Sequence, residues 1–180
     1  MKVLLDACVL YPPVLRGVLL GVARRGLFTP LWSARLLEEW ARAAARRGVA
    51  CEMEARGEIA LLRAGWPGAE VAPRPGLEER LYLPDPGDLH VLAAAIAGSA
   101  DILLTHNARD FPRGTLALEG VSRADPDAFL LGLWKATPAP IADAVGEVAT
   151  EAARREGAPV DLRRLMKRAS LPRLGKALAG

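Results

Sequence analysis

The sequence predicts an α/β fold: a three-layer α/β/α sandwich around a central parallel sheet, with a C-terminal helical extension. Three observations carry this expectation. Strand-like and helix-like segments alternate through the first two thirds of the chain. The clearest strand segments, "KVLLD" and "DILLTH", each centre on an unbroken apolar run, and the first does not alternate, as a strand covered on both faces need not. After residue 124 only helical patterns remain. Residues 1–124 therefore read as one α/β domain and residues 125–180 as helices packed on it.

The elements follow in order. Residues 2–6 form a strand too uniformly apolar to have a wet face. Pro12 and Pro13 break the chain and also suit a helix start, because Val14, Leu15, Val18, Leu19 and Val22 recur at helical spacing. "GLFTPLW" (Gly26–Trp32) is a second strand, weakened by Pro30. Ser33 is a good N-cap for a helix over 34–47, which Gly48 ends. A further helix over 52–64 leads into a Gly/Pro-rich loop, 65–76, with a short strand near Val71. Asp85, Pro86 and Asp88 form the first turn of a helix that runs to Ala97 and stops at Gly98. "DILLTH" (Asp101–His106) is the next strand, and Thr115–Val121 is either an edge strand or a turn. Beyond it, "PDAFLLGLWK", "PIADAVGEVATEAARRE" and a basic helix broken at Pro172 complete the chain.

Composition narrows the function classes. Of 180 residues 51% are hydrophobic, enough for a real core and too many for a disordered chain. The two cysteines, Cys8 and Cys51, make neither a disulfide framework nor a CxxC zinc pair, which points to a reducing, cytoplasmic setting. The N-terminus enters a strand at once, without the pattern of a signal peptide. Asp6, Pro12, Pro13 and Arg16 interrupt the apolar stretch from Val3 to Ala23, so no membrane span is expected. The net charge of +3 suits a polyanionic partner without proving one.

The first strand poses the chemical question. It runs straight into Asp6, and an unpaired buried charge is costly. Either Asp6 caps a turn or a positive partner awaits it. In open parallel sheets the working site lies beyond the carboxyl ends of the strands. Thr105, His106, Asn107 and Asp110 follow the end of the last clear strand, on that same side. On the helix after Ser33, successive residues turn by about 100°. Leu36, Leu37, Trp40 and Ala44 then make the apolar face, and Glu39 lies nearer its edge than Glu38. Asp85 is assigned to capping. Asp88 opens the uncharged helix "LHVLAAAIAG" and is the more suspicious acid. Acids without a Cys/His cluster make a hard oxygen site, suited to Mg²⁺ or Mn²⁺ rather than zinc.

"LLDACVLY", "WSARLLEEW" and "DPGDLHVLAAAIAGSADILLTHNARDF" together resemble the PIN-domain nucleases, in particular the extended VapC-type toxins of bacterial toxin–antitoxin pairs. The resemblance spans residues 2–111. It implies a Mg²⁺- or Mn²⁺-dependent endoribonuclease acting on RNA, a homodimer held off by an antitoxin protein. It implies metal-holding, catalytic acids at Asp6, Glu39, Asp88 and Asp110, with Asn107 as a polar ligand or water holder beside Asp110. The Thr/Ser and Asn common after the family's first Asp are Ala7 and Cys8 here. A PIN-like scaffold that binds RNA or a protein without cutting is the alternative. A phosphoryl-accepting Asp6 of receiver or phosphatase type is disfavoured. Position 8 is Cys where a phosphatase wants a second Asp, and no Lys follows "DILLTH" where a receiver wants one.

Overall fold

The structure, a computed structural model, describes residues 1–179. Five strands, β1 (Lys2–Leu5), β2 (Thr29–Ser33), β3 (Glu70–Val71), β4 (Ile102–Leu104) and β5 (Ser122–Ala124), make a parallel sheet in the order β3-β2-β1-β4-β5, flanked by helices. The expected α/β class is the one observed. Central β1 pairs Leu4 with Leu31 of β2 on one side and with Leu103 of β4 on the other. Val3, Leu4 and Leu5 are fully buried, which is why this segment carries no polar alternation.

Pro30 is accommodated within β2 for a directional reason. The Thr29 N–H points to β1, donating to the Met1 carbonyl, while the Trp32 N–H points the other way, to the Ala69 carbonyl. The Pro30 nitrogen therefore faces the β3 side, where pairing begins only at Trp32. No ladder hydrogen bond is lost.

Two compact units divide the described chain, Met1–Tyr11 with Thr29–Arg123, and Pro12–Phe28 with the segment from Ala124 onward. The first holds the sheet and the helices α1 (Ala7–Leu10), α3 (Ala34–Ala45), α4 (Val49–Gly65), α5 (Leu89–Ala97) and α6 (Arg113–Leu118). Ser33 caps α3, its hydroxyl accepting from the Leu36 N–H at 3.2 Å. Leu4, Leu31, Leu36, Leu92, Leu103 and Phe111 belong to the core beneath α5, each large side chain contributing about 1.5–3 kcal/mol on burial. A Cβ on Gly98, just past α5, would lie 2.8 Å from Val71 Cγ2 and 2.9 Å from Leu31 Cδ1. The residue that ends α5 thus also lets the helix approach β2 and β3 closely.

The segment Thr115–Val121, expected as an edge strand or a turn, is neither for most of its length: Thr115–Leu118 completes α6, and β5 starts only at Ser122. Leu116 is buried while Leu118 is 88% exposed. A strand would put both on one face, so helical geometry is the one that suits this sequence.

The second unit is helical: α2 (Pro13–Arg24), α7 (Pro126–Ala136), α8 (Pro138–Glu156), α9 (Leu162–Arg168) and α10 (Pro172–Leu178). Its two stretches are separate in sequence, α2 lying in Pro12–Phe28 and the other helices following Ala124. Gly17 and Gly21 of α2 lie against Val148 and Ala144 of α8, with room for hydrogen but little for a methyl. Buried Asp127 accepts from the N–H groups of Arg173 and Leu174 at 3.0 and 2.9 Å, capping α10 from another helix.

Candidate metal centre

β1 has β2 on one side and β4 on the other, so the chain changes direction across it. A crevice is expected there, outside the carboxyl ends of β1 and β4. Asp6 follows β1 and is 8% exposed. Its backbone opens the single turn α1, but its side chain makes no capping bond. The Thr105 hydroxyl, from the end of β4, donates to Asp6 Oδ2 at 2.6 Å, and the Cys8 thiol lies 3.0 Å from the same oxygen. Burial and the charge of Asp6 push the Cys8 thiol up to about 12, so it keeps its proton at neutral pH. Cys8, which stands where the family commonly has Asn, is thus a hydrogen-bonding neighbour of Asp6.

Thr105 also organises the following loop, its oxygen accepting from the Asn107 N–H at 2.9 Å. The Asn107 amide donates to Asp88 Oδ2 at 3.1 Å, and its Oδ1 accepts from the Asp110 N–H at 3.4 Å. Asp88 closes a 3₁₀ turn, Pro86–Asp88, that leads into α5. Asp85 precedes that turn and caps it, accepting from the Gly87 N–H at 2.8 Å.

Asp85, Asp88 and Asp110 offer carboxylate oxygens that all lie within 4.8 Å of one another. Burial, then the charges of Asp6, Asp85 and Asp110, push the Asp88 carboxyl up to about 6. Negative charge is gathered here faster than local hydrogen bonds compensate it. An all-oxygen set at this spacing fits a hard divalent cation, which wants oxygen ligands at about 2.0–2.1 Å for Mg²⁺.

Of the residues singled out from sequence, Asp88 and Asp110 share this group, and Asn107 is hydrogen-bonded to both; Asp6 is not among the three converging carboxylates, but its charge acts on Asp88. Glu39 is not among the three converging carboxylates. Its Oε1 lies 2.8 Å from His90 Nε2 and 3.8 Å from Arg35 Nε. His90 is 5% exposed, its Nδ1 is buried without a hydrogen-bond partner, and its positive charge would lower the Asp88 carboxyl. Glu39 thus adjoins the acids through His90. Glu38 turns away, held by Arg56 at 3.1 Å and Arg42 at 3.3 Å, which keep its carboxyl below the usual range. Arg42 is thereby engaged on the helix surface. His106 sits exposed on the loop, as expected of a surface histidine.

Sequence reasoning gave Asp85 only its capping role. The missed signal was the D-x-x-D spacing: residues three apart eclipse in a 3₁₀ turn, which puts both carboxylates on one side.

A family model described as PIN domain matches residues 2–109, more than half of the chain. The chain belongs to the PIN domain family. No curated protein and no solved structure matches it. PIN domains are generally nucleases, hydrolases of phosphodiester bonds that use divalent metals, and the acidic group of this PIN domain has the donor chemistry for one. Among the described residues no helix is long and apolar enough to cross a membrane.

Proposed function

We propose that this PIN domain is a Mg²⁺- or Mn²⁺-dependent endoribonuclease, the toxin of a toxin–antitoxin pair, working in the cytoplasm as a homodimer restrained by an antitoxin protein. The observation that carries the nuclease part is the acidic group at the switch point of the sheet, with the Asp88 carboxyl pushed up to about 6 by burial and then by the neighbouring acids. The toxin, RNA and partner parts rest on the sequence resemblance.

In this reading Asp6, Asp88 and Asp110 hold the ion, Asp85 adds charge beside them, and Glu39 serves the site from α3 through His90. A bound divalent ion supplies an activated water and offsets charge developing on the scissile phosphate. The protein's own part is placement. Thr105 and Cys8 both engage Oδ2 of Asp6 and so fix the carboxylate in place. Asn107 fixes one oxygen of Asp88. Arg109, exposed beside Asp110, meets the RNA backbone.

Cleavage of a mixed RNA substrate by the full chain, with EDTA and with excess Mg²⁺ or Mn²⁺, tests the reading. Cleavage that needs the metal and is lost in Asp88→Asn is expected. RNA binding without cleavage under all conditions would favour the non-catalytic PIN-like module instead.

A further inference from the structure

We propose that Arg123 is a positioning residue for the acidic group, clamping the loop that carries Asp110; the inference rests on reading that group as a divalent-ion site. Arg123 stands on β5, beyond the segment that the family model covers, as does Asp110 itself. Its Nη1 donates to two backbone carbonyls, those of Ala108 and of Phe111, the latter at 2.8 Å. These two carbonyls bracket Arg109 and Asp110. One cation therefore draws both ends of a four-residue turn together, and Asp110 lies inside it.

The rest of the loop shows why the clamp matters. Upstream, Asn107 is tied to Thr105 and Asp88, and downstream the Phe111 ring is 1% exposed in the core. Between them Ala108 and Arg109 are exposed. The bond from the Asp110 N–H to Asn107 Oδ1 is long, 3.4 Å. Three carboxylates whose oxygens lie within 4.8 Å repel one another before any ion arrives. Asp110 is half-buried and follows two exposed residues, so repulsion would push its side of the loop outward. The charge-assisted bonds from Arg123 to the flanking carbonyls oppose that motion. The acceptors of Arg123 are backbone carbonyls and not carboxylates, so it acts through the backbone. Both bonds leave the same terminal nitrogen, Nη1; lysine keeps the charge on a side chain one atom shorter, which stops short of that position.

The test compares wild type, Arg123→Lys, Arg123→Met and Arg80→Ala as full chains. Arg80 pairs with Glu119 at 2.8 Å on the surface and controls for loss of an ordinary ion pair. Two quantities are read on folded protein: hydrogen exchange of amides 107–112, and Mn²⁺ affinity by electron paramagnetic resonance. Arg123→Met should speed exchange across 107–112 and weaken Mn²⁺ binding by about 10–100-fold, the usual effect of losing a group that orients metal ligands. Arg123→Lys should fall between, and Arg80→Ala should change neither. Should Arg123→Met not fold, the lysine variant alone must show both changes. Faster exchange with wild-type Mn²⁺ affinity would overturn the proposal, as would no change in exchange. A wild type that takes up no Mn²⁺ would instead overturn the metal reading beneath it.

Discussion

Asp88→Asn removes one negative charge from the acidic group while keeping the shape of the side chain. The Asn107 amide can still donate to an oxygen at position 88, so the local hydrogen bond survives. The folded-state carboxyl sits at about 6 against an ordinary 3.8. A pKa unit corresponds to about 1.36 kcal/mol, so the full difference would be about 3 kcal/mol. Asp88 is only partly buried and solvent screens its neighbours, which reduces the expected effect to about 1 kcal/mol. The sign follows from the direction: an acid whose pKa rises on folding favours the folded state below pH 3.8, and that stability is lost as the pH climbs through about 6. In EDTA at pH 8, Asp88→Asn should therefore melt about 2–4 °C above wild type. The gap should close as the pH falls toward 4, where wild-type Asp88 is protonated. Excess Mg²⁺ should reverse the order, since an ion at 100 times its dissociation constant adds about 2.7 kcal/mol to the wild type and the variant lacks that response. Thermal melts at pH 8 and pH 4.5, each with EDTA and with Mg²⁺, measure all four values. A variant less stable than wild type in EDTA at pH 8, or one with an undiminished Mg²⁺ response, would refute the reasoning.

The neighbouring acids and their supports give three further expectations. Glu38→Gln should leave stability and RNA cleavage nearly unchanged, since surface ion pairs contribute little, whereas Glu39→Gln should impair cleavage; side-by-side cleavage assays decide between the two. Thr105→Val removes a buried donor to the Asp6 carboxylate and should destabilise by about 1.5–3 kcal/mol in urea denaturation, with Thr105→Ser retaining most of the stability. Gly98→Ala drives a methyl into Val71 and Leu31 and should cost about 1–3 kcal/mol by the same measurement, although Ala is the better helix former elsewhere.

Local patterns in the chain determined most of the fold. The buried strand at residues 2–5 was legible because a strand covered on both faces needs no polar positions. The Ser33 and Asp125 caps were legible because their hydrogen bonds reach only three residues onward, to Leu36 and Ala128. The end of α6 was misread since Thr115–Leu118 alternates in sequence. Which of Leu116 and Leu118 is buried depends on what packs above them. At the site, sequence and resemblance pointed to Asp6, Glu39, Asp88, Asn107 and Asp110; all but Glu39 stand just beyond a strand or at a helix start. Tertiary structure alone decided their partners. Thr105 and Cys8 meet on one oxygen of Asp6 only because β4 lies beside β1, with Leu5 opposite Leu104. His90 takes Glu39 because α3 and α5 bring together residues 51 positions apart, and no local pattern encodes that distance. Arg123 reads from sequence as one arginine among many. It acquires a role because the two carbonyls around Asp110 point at it, and the direction of a backbone carbonyl is fixed only when the loop has folded.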